Sequence, residues 1–336
     1  MSKLSQLESP VAFMIFNRPG LTAQVFKKIA AQRPKKLLVI ADGPRTEAER
    51  EICNQTRAVL DTIDWDCELL TNFSDVNLGC KKRVSSGLDW VFSTVEEAIV
   101  LEDDCLPSDS FFSYCQTLLE RYRFDDRVMV ITGTNFQQGQ SRTPYSYYFS
   151  KLNLVWGWAS WARAWKHYDV NMSSWPEFRD SGLLKGFSDF PEEEAHWLNT
   201  FNTAHAGLID TWDFQWFYKC WEQSGFTVTP DKNLISNLGF GPDATHTVSV
   251  DSPLAGQPIH EIWDIEHPKI VARHKEADEF AVRNFFIPKP EKTAVPAEKA
   301  IAKASSEPEQ TTTTTTANET QAQVRTKKGF FAKIFG

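Results

Sequence analysis

Two short apolar runs that each stop in a turn, with a segment of helical period between them, constrain this chain more than any other feature. VAFMIFNRP, Val11 to Pro19, ends in Asn-Arg-Pro, and KKLLVIADGPR, Lys35 to Arg45, ends in Asp-Gly-Pro. Both read as buried strands. Between them GLTAQVFKKIAAQ repeats its apolar residues at helical spacing, as does VSSGLDWVFSTV, Val84 to Val95, just before a third apolar run from Ala98 to Leu101. A repeated strand, helix, strand pattern predicts an α/β fold, a mostly parallel sheet flanked by helices with right-handed crossovers. Ligands of open α/β sheets lie beyond the carboxyl ends of the strands, so three strand ends should share one cleft. They carry Asn17 and Arg18, then Asp42, then Glu102, Asp103 and Asp104.

At 336 residues the chain can bury a large core. After a further strand, VMVITGTN from Val128 to Asn135, it becomes irregular and aromatic to about Phe240, and residues 1–287 read as one domain with parts at 8–135 and 136–287. The 12 Trp and 24 Phe predict either aromatic packing or an aromatic-lined cleft. Residues 288–325 are mostly Pro, Ala, Glu and Thr, which cannot offset the entropy of folding, so a disordered linker is expected. The last segment, 326–336, contains TKKGFFAKIFG, in which lysines alternate with aromatic and apolar residues. It suits a tether to a membrane surface or to a partner protein.

The formal charge of -8 argues against a general nucleic-acid binder. No window is long and apolar enough to span a bilayer, and MSKLSQLESP lacks an apolar signal segment, so the expected location is the cytoplasm, with the tail able to hold the protein on the inner membrane face. The six cysteines show neither CxxC pairs nor zinc spacing and read as reduced packing residues.

The sequence IVLEDDCLPSDSFFSYC places three consecutive acids at the end of an apolar strand. Three readings are open: a helix-capping turn, a general acid and base, or an oxygen-ligand site for Mn²⁺ or Mg²⁺. Asp109 or Ser108 could cap the following helix, but the triplet lies four or more residues earlier. Adjacent acids repel unless a cation or donors compensate, and that favours a divalent ion and a phosphate-bearing substrate.

VAFMIFNRP, VIADGPR, NLGCKKRVSSGLDWVF, IVLEDDCLPSDSFFSYC, NLVWGWASWARAW and DTWDFQWFY occur in the order seen in GT-A (Rossmann-like) glycosyltransferases, and the acidic segment resembles the N-acetylglucosaminyltransferase I type. The resemblance runs from about Val11 to His246 and makes 8–135 the nucleotide-binding part and 136–287 the acceptor part. It implies that Asp104 binds Mn²⁺ (or Mg²⁺), that Glu102 and Asp103 lie by the nucleotide sugar, and that Asn17, Arg18 and Asp42 surround a nucleoside, usually uridine. Asn17 departs from the family, which often has Asp there.

WGWASW, Trp156 to Trp161, resembles the stretch before the acceptor site, so Trp156 and Trp158, with Trp212, are expected to stack on acceptor sugars. TWDFQW resembles a WDDW segment whose second acid is replaced by Phe214, leaving Asp213 as candidate base for an inverting transfer, with a structural Asp bonded to backbone as the rival reading. Lys82 and Arg83, with Lys81, open a helix where positive charge suits a diphosphate, and a solvated basic turn fits the same residues. NLGFGPDATHT, Asn237 to Thr247, resembles a loop that closes over the donor and brings His246 to phosphate or metal.

The leading expectation is a metal-dependent, inverting glycosyltransferase that moves a sugar from a nucleotide-diphosphate donor, UDP-sugar favoured, to a saccharide, lipid-linked or protein acceptor, in envelope polysaccharide or lipopolysaccharide assembly. A nucleotidyltransferase is a second class, although FNRPGLT has one glycine where a phosphate loop would have several. A sugar-binding scaffold of the same fold is a third, supported by Phe214.

Overall fold

The computed structural model describes residues 6–240 and 254–287. His246, the linker and the basic aromatic tail lie outside them. The strands are β1 (Val11–Ile15), β2 (Lys36–Ala41), β3 (Glu68–Phe73), β4 (Glu97–Glu102), β5 (Cys105–Pro107), β6 (Val128–Thr132), β7 (Tyr147–Ser150), β8 (Trp158–Trp161), β9 (Phe226–Pro230) and β10 (Ile235–Asn237). The helices are α1 (Pro19–Gln32), α2 (Arg50–Arg57), α3 (Cys80–Thr94), α4 (Ser110–Tyr122), α5 (Ala162–Trp165), α6 (Trp175–Asp180), α7 (Pro191–His205), α8 (Asp213–Glu222) and α9 (Lys275–Ala281).

Eight strands form one mixed sheet in the order β3-β2-β1-β4-β8-β6-β9-β7, and β10 pairs with β5 in a small antiparallel ribbon. Strands β3, β2, β1 and β4 run parallel, and so do β6 and β9, while β8 inserts antiparallel and β7 adds an antiparallel edge. The chain steps from β1 outward to β2 and β3, then returns to place β4 on the other side of β1. That reversal of strand order is a topological switch point, where a crevice opens beyond the strand ends. The first, second and third strands of the sequence reading are all present, and the third is longer than its apolar run because Glu97 and Glu102 both pair in register.

Local chemistry explains the helix starts. Pro19 opens α1, where its fixed φ costs nothing and its missing N–H is not needed. Gly79, with φ +79°, turns the chain into α3 in a conformation that L side chains resist. The expected cap of α4 by Asp109 or Ser108 is not made. Neither side chain caps; the Glu261 carboxylate, from far along the chain, accepts from the amides of Asp109 (3.1 Å) and Ser110 (2.7 Å). A carboxylate at a helix N-terminus satisfies orphan donors and opposes the dipole whichever segment supplies it.

The aromatic residues serve packing. Ten of the twelve tryptophans are buried, with Trp90 half-buried and Trp263 exposed. On one face of the sheet Trp158, Trp165, Trp212 and Trp216 pack together, and Tyr168 stacks on Trp165 with ring centres 4.3 Å apart. The described cysteines are all free thiols, as expected. No helix among the described residues is long and apolar enough to cross a membrane.

Residues 254–287 are held to the sheet by buried charge. Lys151, just after β7, meets Asp189 at 3.0 Å and Glu193 at 2.6 Å; Arg273 pairs with Asp189 and, at 2.5 Å, with Asp278 of α9. Glu193 is fully buried, so removing its cation leaves an uncompensated charge in the interior. Lys151→Ala should lower the unfolding free energy by about 3–5 kcal/mol in urea denaturation. A loss under about 1 kcal/mol would mean that the cluster is solvated.

Candidate functional site

The ends of β1 and β4 meet at a cavity of about 230 Å³ whose walls include Phe16, Arg18, Asp42, Glu102, Asp103 and Asp104. Between β4 and β5 the chain turns sharply, so that Asp103 and Asp104 point back toward β1. The Phe16 amide donates to Asp103 Oδ2 at 3.3 Å, and Arg18 donates to Asp104 Oδ2 at 2.7 Å with Asp103 Oδ1 at 3.6 Å. The compensation that three adjacent acids require is therefore met in part by a guanidinium of the chain itself.

Burial dominates the electrostatics of this cluster. It pushes the Glu102 carboxyl well above the usual range, reinforced by Asp104 and then Asp103. The same cause raises Asp103 to about 7, against the pull of Arg18. Burial alone would lower Arg18, but Asp103, Asp104 and Glu102 outweigh it and the guanidinium is held charged. Such opposed shifts arise where charges are brought together out of water, which is common at functional sites.

Asp104 is covered from the other side. The Leu238 amide donates to its carbonyl at 2.7 Å, and a Cβ on Gly239 would overlap its carboxylate. Only glycine lets the start of NLGFG lie against the acid, which ties the expected donor loop to the cluster as far as Phe240.

Among the described residues no three Asp, Glu, His or Cys side chains are grouped as ligands for an ion. The donor set is nevertheless one of hard carboxylate oxygens on a cavity wall, the kind that suits Mg²⁺ or Mn²⁺ when substrate oxygens complete the shell. Glu102, Asp103 and Asp104 thus fit a shared cation, not one caged by protein alone.

Asp42 also lines the cavity, but its carboxylate is spent on Gly43 and on the β3–α3 connection. It accepts from the amides of Gly43 (2.8 Å), Leu78 (3.0 Å) and Gly79 (3.2 Å) and from Asn77 Nδ2 (3.0 Å), and burial still raises its pKa. Asn17 turns aside to Glu49 at 3.2 Å and is absent from the lining. Arg83 is on the wall with its Nη2 bound to Asn72. Lys82, with Lys81, lines a separate cavity of about 450 Å³.

The tryptophans expected to stack on sugar are placed unequally. Trp212 reaches the smaller cavity. Trp156 and Trp158 are 5% and 0% exposed, and their rings are packed, Trp156 edge-on to Phe136 and Phe240, Trp158 face to face with Trp212. Neither ring offers a free face in this conformation, a correction to the acceptor-stacking expectation. The reason is the pleat: Trp158 pairs with Val100 inside the sheet and must face a packed layer.

Asp213 opens α8 beneath Trp212 and lines neither cavity. Its Oδ1 accepts from Thr211 and, at 2.9 Å, from the Phe214 amide, while Oδ2 is buried without a hydrogen-bond partner. Two contributors escaped the motif reading. Arg45 stands over the Phe16 ring at 5.2 Å, and Asp210 accepts from the amides of Cys80 (3.2 Å) and Lys81 (3.1 Å). Asp210 could have been suspected as a second acid three residues before Asp213.

No family model and no curated protein matches this sequence. Among solved structures, a UDP-glucose pyrophosphorylase complexed with UDP-glucose matches at 8% identity and a TM-score of 0.25, over 43% of this chain and 62% of that one. The match spans less than two thirds of that structure's chain.

Burial pushes the Asp213 carboxyl from its ordinary 3.8 up to about 7. The folded protein then keeps a proton that the unfolded chain releases, so this contribution to stability is fullest below about pH 4 and declines as pH rises toward about 7. Asp213→Asn carries no such proton. Its melting temperature relative to the parent should rise by several degrees between about pH 5 and about pH 8. Parallel curves would contradict a buried, protonated Asp213.

Proposed function

We propose that the protein binds a nucleotide-diphosphate sugar, a UDP-sugar in preference, at the β1/β4 cavity and transfers the sugar with inversion to a hydroxyl acceptor. The observation that carries this reading is the acid triplet at the end of β4 facing Arg18 at the end of β1, across the switch point of the sheet. A diphosphate brings several anionic oxygens to a place that already holds three carboxyls and one guanidinium. That is favourable only if a cation joins it, and hard carboxylate oxygens are what such a cation takes. Bound there with the substrate, Mn²⁺ or Mg²⁺ would neutralise the charge that develops on the departing diphosphate.

The chain's own residues supply the remainder. Asp104, held by Arg18 and roofed by Gly239, is positioned to contact the cation, and Glu102 and Asp103 line the cavity beside it. Arg18 can exchange part of its pairing with Asp104 for a phosphate oxygen, since a guanidinium fork matches carboxylate and phosphate alike. Phe16 and Arg45 form a flat, cationic surface at the cavity edge suited to a nucleobase. Inversion requires a carboxylate on the side opposite the leaving group to take the acceptor proton.

The test is turnover of UDP-, GDP- and dTDP-sugars by the full-length protein with Mn²⁺, with EDTA, and after Asp104→Ala. The expected outcome is release of nucleoside diphosphate from one donor, suppressed by EDTA and reduced by about 10²–10³-fold in Asp104→Ala. Formation of pyrophosphate from a nucleoside triphosphate and a sugar phosphate would instead establish nucleotidyl transfer. Saturable nucleotide binding without turnover, with acceptors present, would make the protein a sugar-binding scaffold.

A further inference from the structure

The two cavities meet at one side chain. The smaller one, with the acid triplet, and the larger one of about 450 Å³ have Asp210 in common among their lining residues, and only Asp210. It lies in the connection between α7 and α8 and is solvent-exposed. Its two oxygens are aimed by the first amides of α3, Oδ2 by Cys80 and Oδ1 by Lys81. Gly79 makes the approach close, since a Cβ there would stand 3.0 Å from Asp210 Oδ2 in a backbone already at positive φ. Each carboxylate oxygen keeps further acceptor capacity beyond its one amide.

The larger cavity has the chemistry of a polyol site. Lys81 and Lys82 supply donors, Asp89 and Asp169 supply acceptors, and Ser86 adds a hydroxyl. The acids are held in place, Asp89 by the Trp165 indole N–H at 2.8 Å and Asp169 by the amides of Asn171 and Ser173. Two lysines stand among three aspartates when Asp210 is counted, so the wall has no net positive field to select a phosphate or carboxylate. Held acceptors with lysine and hydroxyl donors among them match instead the hydroxyls of an uncharged sugar ring.

We infer that the larger cavity is the acceptor subsite, that it takes a neutral saccharide, and that Asp210 is the carboxylate which accepts the proton of the attacking hydroxyl. This rests on the transfer reading above. The acceptor O–H bond breaks and its proton passes to Asp210. The freed electron pair on oxygen forms the new bond to the anomeric carbon. The bond from that carbon to the diphosphate breaks, and its electron pair leaves with the nucleoside diphosphate. Asp213, enclosed behind Trp212, is a structural acid in this scheme.

Saturation-transfer NMR on the full-length protein tests the assignment with glucose, galactose and N-acetylglucosamine as probes and UDP with the diamagnetic Mg²⁺ in the same tube. At least one sugar and UDP should both receive saturation. Ser86→Trp, a change at an exposed position that fills the larger cavity, should abolish the sugar signal and leave the UDP signal. Asp210→Asn keeps an acceptor for the α3 amides and should retain both signals while lowering transfer by about 10²-fold, with the acceptor KM little changed. Sugar signals that are absent from the parent, or that survive Ser86→Trp, overturn the subsite, and undiminished transfer in Asp210→Asn overturns the role of that residue. Sugar binding lost in Ser86→Trp with no UDP signal in the parent would support the saccharide cavity while removing the nucleotide-sugar reading.

Discussion

The ion pair between Arg18 and Asp104 closes the crevice between two parallel strands whose ends would otherwise face each other across unbalanced charge. Three carboxyls leave the sheet at one turn, and burial raises those of Glu102 and Asp103 above the usual carboxylate range. One guanidinium from the neighbouring strand holds part of that charge in place without cancelling it. The carboxylate oxygens left on the cavity wall are of the kind that suits a hard cation, and the partly buried guanidinium has the fork that matches an anion. A site that welcomes both at once suits an ionic pair such as a metal diphosphate.

Everything around this pair keeps it in register. Strands β1 and β4 are parallel neighbours with Met14 opposite Glu102, so the sheet itself sets the reach of Arg18 to the triplet. The β5–β10 ribbon fixes the far side of the turn, and Gly239 then falls on Asp104. The tryptophan layer beneath β4 and β8 is rigid and apolar, and Trp212 extends it to the cavity wall while carrying Asp210 and Asp213 on its two flanks. An acid on the solvent side of that ring and an acid on the core side are thereby given opposite fates. One holds its oxygens at a cavity on two backbone amides, and the other is driven toward its neutral form.

The strands, helices and switch point were legible because apolar runs, turn residues and helical period are local signals, and the site inherits its place from them. Arg18 and the triplet were legible for the same reason: they sit where strands end. Side-chain allegiance was not. Asp42 occupies a strand end too, yet the Gly43 amide and three donors of the β3–α3 connection consume it. Trp156 and Trp158 belong to a motif that suits sugar stacking, but Trp158 is turned inward by its pairing in the sheet, Trp156 packs on Phe136 and Phe240, and both are buried. Glu261 caps α4 from about 150 residues away, a pairing that no local pattern encodes. Asp210 is the plainest omission, since its importance lies in joining two cavities, which exists only once α3 and the α7–α8 connection are brought together.

The most direct measurement of the central claim is a crystal structure of the full-length protein with UDP and Mn²⁺. The account places the diphosphate in the β1/β4 cavity, with Mn²⁺ between it and Asp104 and with Arg18 drawn toward a phosphate oxygen. UDP bound elsewhere on the molecule, or a cavity in which Arg18 stays closed on Asp104 at saturating UDP and Mn²⁺, would contradict it.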